Sequence, residues 1–290
     1  MNHIEKLKSG LNLCILKSTS IERTSSIAIT EKREYLGALI GSDTHLLNIP
    51  SEQTALALSV GSTDFPVKEI VTMSENGSSL VSPVVIKILV DYAARTGAPL
   101  KYKIVNTNGE ALFETKDVRL VFPLYNPSPI PISKIKEKYS PNRAEIKIGA
   151  DEISVRLKEY AILGLNRNFP LYDSASSYGT AVYTSQGNIY YAGQYSSPDK
   201  RLNLHSEMTA ILSALMDNER DIIDIGVVST KYPDSPCNMC GICRQFISEI
   251  SSKLNISPNL YCFASETSEF KKWSIAEYLP DSWSSKKWQL

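Results

Sequence analysis

The stretch Asn203-Leu204-His205-Ser206-Glu207-Met208-Thr209-Ala210-Ile211 decides how this chain is read, because a version of it occurs twice. Its counterpart, Asn48-Ile49-Pro50-Ser51-Glu52-Gln53-Thr54-Ala55-Leu56, lies 155 residues earlier. Two further landmarks recur in the same order: Ser82-Pro83-Val84 with Ser235-Pro236-Cys237, and Phe122-Pro123 with Leu279-Pro280. Three ordered landmarks at nearly one period mark a diverged tandem repeat. The run Asn126-Pro127-Ser128-Pro129-Ile130-Pro131 separates the copies, since proline continues neither a helix nor a central strand. The expected organisation is a first domain over 1–125, a Pro-rich linker over 126–145 and a second domain over 146–290.

Both copies carry one coarse pattern. In the second, Thr180 to Thr184 and Ile189 to Ala192 read as strands around a Ser185-Gln186-Gly187-Asn188 turn. His205 to Met216 reads as a helix with Met208, Ile211, Leu212 and Leu215 inward. Asp224 to Thr230 is a strand, the Cys cluster opens a second helix with Phe246, Ile247 and Ile250 on its apolar face, and Leu260 to Ala264 is another strand. The first copy repeats this with strands at 26–30, 35–39, 69–73 and 101–105 and helices from Ser51 and Val84. A hairpin followed by alternating helix and strand implies an α/β fold, a mixed sheet with helices packed on it.

The chemistry sits in the second copy. His205 offers a neutral nitrogen ligand, and Glu207 a carboxylate two residues on. Ser235-Pro236-Cys237-Asn238-Met239-Cys240-Gly241-Ile242-Cys243 offers three thiols at spacing three. One His and two Cys make a three-ligand zinc site with the fourth position open, which a catalytic zinc requires. In such a site a bound water is acidified, and a Glu that is not a ligand moves its proton. The rival readings of a Cys-x-x-Cys are a structural zinc knuckle and a redox pair. A closed structural site needs a fourth ligand. His3 and His45 lie in the other half of the chain, so only Cys237 is placed to close it.

The first copy lacks these ligands. Pro50 stands where His205 stands, and Val84, Lys87 and Val90 stand where Cys237, Cys240 and Cys243 stand. Glu52 persists, and without metal it reads as a surface or capping carboxylate.

Composition narrows the class. The chain has 290 residues, 42% hydrophobic, with 31 Lys+Arg against 31 Asp+Glu. That suits two ordinary domains, and the zero net charge supplies no footprint for a long polyanion, so nucleic acid is not an expected partner. No apolar stretch approaches the ~20 residues that span a bilayer. The opening Met1-Asn2-His3-Ile4-Glu5-Lys6 lacks a signal-peptide layout. Five Cys, three of them within seven residues, make no disulfide framework. Reduced thiols and a cytoplasmic location are expected.

His-x-Glu followed by Pro-Cys-x-x-Cys is the signature of zinc deaminases of nucleobases. The chain resembles the cytidine deaminase family, and most nearly its two-repeat, dimeric branch, which uses His before the Glu. Cys240-Gly241-Ile242-Cys243-Arg244-Gln245-Phe246 with Glu249 resembles that family's Cys-Gly-x-Cys-Arg-Gln helix, and Glu277-Tyr278-Leu279-Pro280-Asp281-Ser282-Trp283 its Leu-Pro-x-x-Phe-Gly tail. The resemblance covers residues 150–290, and 20–125 as a degenerate copy. It implies two three-layer α/β/α repeats, one zinc per chain, a small nucleoside substrate and a homodimer in which residues 1–125 shield the pocket. It also implies substrate contacts near Ser206 and, through stacking, Trp283.

Several positions depart from the family. Ser176 falls where a Phe is usual, and Gln194-Tyr195-Ser196-Ser197 falls where an Asn-x-Glu holds the ribose, with Asp199 the nearest carboxylate. The catalytic repeat comes second instead of first. The cysteine loop has three residues too many. Adjacency to Pro236 selects Cys237 and Cys240, whereas helix register selects Cys240 and Cys243. Sliding a helix by three residues turns its buried face by ~60°, and an insertion is tolerated better in the preceding loop. Cys240 and Cys243 are therefore favoured, with Cys237 the alternative. The expected reaction is hydrolytic deamination of a cytosine nucleoside, with zinc on His205, Cys240 and Cys243 and Glu207 as proton shuttle. A modified nucleoside or another aminated heterocycle is the alternative substrate. A nucleic-acid-editing deaminase and a non-catalytic zinc protein are further alternatives.

Overall fold

The computed structural model describes residues 2–16, 22–44, 47–121, 140–146, 152–169 and 176–283. His45, Phe122-Pro123 and the Pro-rich run 126–131 lie outside them. The chain divides into two units: Met1–Ser140 with Ser197–Leu202, and Pro141–Ser196 with Asn203–Leu290.

The first unit holds strands β1 (Thr24–Ile29), β2 (Glu34–Ala38), β3 (Glu69–Ser74), β4 (Lys101–Val105) and β5 (Ala111–Thr115). Its helices are α1 (His3–Leu11), α2 (Ser51–Gly61), α3 (Pro83–Thr96) and α4 (Val118–Val121). The sheet order is β2-β1-β3-β4-β5, with β3 and β4 parallel and the other neighbours antiparallel. Strand alternation divides the two faces. Ile27, Val71, Met73 and Val105 pack on Leu7 and Leu11 of α1. The intervening Ser26 and Thr72 turn the other way, toward Ser51 at the start of α2. Each large apolar side chain fully buried in this way contributes about 1.5–3 kcal/mol.

The second unit holds β6 (Arg143–Glu145), β7 (Tyr178–Thr184), β8 (Asn188–Gly193), β9 (Ile222–Ser229), β10 (Asn259–Phe263) and β11 (Phe270–Ser274). Its helices are α5 (Ile153–Leu165), α6 (Ser206–Met216), α7 (Gly241–Leu254) and α8 (Ile275–Tyr278). The sheet runs β11-β10-β9-β7-β8-β6. With β6 set aside, this is the strand order of the first unit. Leu157 and Ala161 of α5 pack on Ala181, Ile189, Val228 and Phe263, while α6 covers β7 and β8 from the opposite face. Both units are thus mixed sheets with helices on their faces, an α/β fold.

Residues 143–145, inside the span read as a linker, form β6 against β8. Arg143 fixes it there, with its Nε 3.2 Å from Asn188 Oδ1 and one terminal nitrogen 3.0 Å from Asp217. The buried Glu219 beside it accepts from Tyr190 Oη and Asn188 Nδ2, both at 2.7 Å. Among the described residues no helix is long and apolar enough to cross a membrane.

Candidate metal centre

Two helix starts converge on the site. His205 is the N-cap of α6, in extended backbone, and its side chain makes no capping bond. An N-cap side chain usually accepts a bond from its own helix. Here the ring faces two thiols instead: His205 Nδ1 lies 3.3 Å from Cys240 Sγ and 3.3 Å from Cys243 Sγ. Cys240 is the N-cap of α7 and Cys243 lies in its first turn. The three donor atoms all lie within 4.8 Å of one another. Cys240 is exposed, His205 half-buried and Cys243 buried, so the cluster opens to one side.

The donor set suits zinc. An ion about 2.3 Å from sulfur and about 2.0 Å from nitrogen, in tetrahedral geometry, sets N···S separations of roughly 3.5 Å. The observed separations lie within a few tenths of an ångström of that. Cys240 carries the thiolate: its pKa is pulled down to about 3, first by the Cys243 thiol and then by His205 and the Cys243 backbone N–H. Cys243 is pushed well up, chiefly by burial. His205 is raised, foremost by its bond to Cys240.

Cys237 stands apart. Its thiol donates to Val227 O at 3.3 Å, and its own backbone N–H donates to Phe263 O. The neighbouring Cys262 thiol, followed by burial, raises its pKa. Helix register explains the separation. Ser82 and Cys240 are both N-caps of 14-residue helices that end on left-handed residues, Gly97 and Asn255. Ser82 and Val85, not Lys87 and Val90, therefore occupy the places of Cys240 and Cys243. The Ser-Pro landmark falls out of step with the helix starts by five residues, an offset of 153 against 158.

Glu207 is buried, and burial is the main cause of its raised pKa. Ser206 Oγ lies 3.2 Å from its Oε2 and 2.8 Å from Thr180 Oγ1, and the Cys243 thiol works weakly against the rise in its pKa. Ser206 thus meets the carboxylate and the sheet.

Glu52 corrects the reading made of it. It is buried, not a surface cap, and accepts from Tyr102 Oη at 2.8 Å, Thr72 Oγ1 at 3.0 Å and Ser51 Oγ at 3.3 Å. Strand register places Thr72 opposite Ser26 and Val227 opposite Thr180. It likewise places Tyr102 opposite Ile70 and Leu260 opposite Ile225. Val227 and Leu260 thus hold the equivalent positions in the second unit, and neither carries a hydroxyl.

The remaining candidates lie elsewhere. Gln194 Nε2 donates to Ser196 Oγ at 3.0 Å, and Ser176 is exposed. Asp199 belongs with the first unit, paired with Lys87 at 2.7 Å and with Arg201. The Trp283 backbone exchanges two hydrogen bonds with the Gln245 amide, at 2.9 and 3.1 Å, and its side chain is exposed. Tyr278 was not singled out from the sequence. Its hydroxyl accepts the backbone N–H of Met239, one residue before Cys240, at 2.9 Å. No local spacing signals that contact, which spans 39 residues.

No protein-family model matches the chain, and no curated protein sequence matches it. Solved structures of cytidine deaminases do. The Burkholderia pseudomallei enzyme is 23% identical over 44% of this chain and 98% of its own, with a TM-score of 0.40. The Mycobacterium leprae enzyme is 15% identical over 47% of this chain and 100% of its own, at 0.36. The Mycobacterium tuberculosis enzyme is 17% identical over 45% of this chain and 96% of its own, also at 0.36.

Proposed function

We propose that this chain is a zinc-dependent hydrolase that removes the exocyclic amine of a cytosine nucleoside such as cytidine or deoxycytidine, leaving the uracil form and ammonia. One observation carries this reading: His205 Nδ1, Cys240 Sγ and Cys243 Sγ lie within 4.8 Å of one another, with a buried carboxylate at Glu207, two residues after His205. The substrate class rests on the resemblance of the His-x-Glu and Cys-Gly-Ile-Cys-Arg-Gln motifs.

Held by His205, Cys240 and Cys243, zinc supplies a Lewis acid that brings the pKa of a water toward neutrality. Glu207 accepts that water's proton and hands it to the ring nitrogen of the amidine. The water's oxygen would add to the amine-bearing carbon, and Glu207 would carry its remaining proton to the amine, so that the C–N bond breaks and ammonia leaves. A protonatable, desolvated carboxylate suits this two-way traffic, because burial raises its proton affinity. Ser206 holds one carboxylate oxygen and is itself held by Thr180 of β7.

A second reading, a modified nucleoside or another aminated heterocycle, draws on the sugar-motif positions. Gln194 and Ser196 bond each other, and the Asp199 carboxylate is taken by Lys87 and Arg201. The chain is further proposed to be a tandem repeat whose first copy lost its metal, acting as a cytoplasmic homodimer.

The test measures zinc content together with ammonia release and ultraviolet change over a panel of free cytosine, cytidine, deoxycytidine and modified analogues. About one zinc per chain and turnover of a nucleoside are expected. Cys240→Ala and Cys243→Ala lose zinc, and Cys237→Ala keeps it. Turnover restricted to a free base or an analogue selects the second reading. Retained zinc and activity in Cys243→Ala contradict the ligand assignment.

A further inference from the structure

Tyr278 lies outside the donor cluster, yet its hydroxyl bonds the loop that delivers Cys240. It ends α8, whose start is fixed by a capping box between Ser274 and Glu277. One face of its ring stacks on Trp273, with centroids 5.5 Å apart and planes within 1°. The Arg244 guanidinium lies 4.9 Å from the ring centroid, and the same side chain donates to Tyr278 O at 3.0 Å. A ring held by a stacked indole and a guanidinium keeps its hydroxyl in one place.

That hydroxyl has one hydrogen and two lone pairs. It accepts the Met239 backbone N–H at 2.9 Å and lies 3.3 Å from Asn238 Oδ1 and 3.6 Å from Cys262 Sγ. Met239 is buried and directly precedes Cys240, so no water replaces this bond at low cost. The other end of the short loop is tied down by Cys237, through Phe263 O and Val227 O. Cys240 itself makes no capping bond that would fix it from its own helix.

We infer that Tyr278 is a positioning residue for the metal centre: its hydroxyl sets the backbone that presents Cys240, and so tunes how tightly the ion is held. The inference rests on the metal reading above. Groups beyond the ligands commonly change metal affinity through the geometry of the ligands they support.

The experiment titrates zinc into metal-free, full-length protein against a chromophoric chelator. It compares the unchanged chain, Tyr278→Phe, Asn238→Ala and the double variant. Tyr278→Phe keeps the ring stack and loses only the hydroxyl. It is expected to bind zinc about tenfold more weakly, to alter the thiolate-to-cobalt charge-transfer band when cobalt replaces zinc, and to keep the circular dichroism of the unchanged protein. Asn238→Ala moves affinity in the same direction by less, and the double variant is no weaker than Tyr278→Phe alone, because the two groups act through one hydroxyl. A Tyr278→Phe affinity and cobalt spectrum equal to the unchanged protein's overturn the inference and leave the metal reading standing. If Tyr278→Phe fails to fold, the exposed Asn238→Ala decides: an unaltered affinity there overturns the inference. An unchanged protein that takes up no zinc overturns the metal reading, and this inference with it.

Discussion

Glu52 and Glu207 hold the same place in two helices and meet different neighbours. Glu52 ends three hydroxyl donations, two of them from strand positions 20 and 50 residues away. Glu207 meets Ser206, and the strand positions that answer to Thr72 and Tyr102 are Val227 and Leu260. Glu52→Ala therefore removes the acceptor of the buried Tyr102 hydroxyl and is expected to lower stability to urea by about 1–3 kcal/mol. A loss near zero, as for a surface carboxylate, contradicts the burial. At this scale the sequence displays ligand chemistry well, because His-x-Glu and Cys-x-x-Cys are local spacings. It does not display Glu52's burial, which depends on the register of β3 and β4. It also leaves the cysteine pair open, since only the start of α7 at Gly241 separates Cys237 from Cys240 and Cys243.

At the scale of elements, the 3-10 turn Lys200–Leu202 and the residues before it are fastened within the first unit. Lys87 binds Asp199 at 2.7 Å, Ser197 Oγ donates to Asp91 at 3.1 Å, and Gln53 Nε2 donates to Leu202 O at 2.7 Å. Lys87→Met is expected to speed tryptic cleavage after Lys200 and Arg201 at neutral pH, read by mass spectrometry. An unaltered rate contradicts the fastening. Arg201 first, and then Lys87, hold the Asp199 carboxyl below its ordinary range. A depressed folded value stabilises fully above the unfolded carboxylate pKa near ~4 and is lost as pH falls through the folded one. The stabilities of Asp199→Asn and the unchanged protein accordingly differ at neutral pH and converge in acid. The hairpins and the central helices were legible, because their apolar periods are clear. β6, three residues long and anchored by Arg143, carries no such period, and β11, Phe-Lys-Lys-Trp-Ser, is a largely exposed edge.

Across the whole molecule, one strand order occurs twice and one unit carries the donors. The recurrence of Asn48–Leu56 at Asn203–Ile211 makes the doubled hairpin-helix-strand pattern legible in the sequence, whereas the strand order depends on contacts between distant segments. The Ser-Pro landmark is displaced by five residues, because loops drift where buried helix faces do not. The proposed assembly is a closed two-fold dimer, and light scattering is expected to give twice the 32.2 kDa of one chain. A monomer at working concentration contradicts it. The central claim, that Glu207 moves protons beside a zinc held by His205, Cys240 and Cys243, meets its most direct test in ammonia release from cytidine by Glu207→Gln and the unchanged protein at equal zinc content. The account predicts a rate lower by a factor on the order of 10² to 10⁴ in the variant, with zinc retained. Equal rates, or no ammonia from the zinc-loaded unchanged protein with any cytosine compound, contradict it.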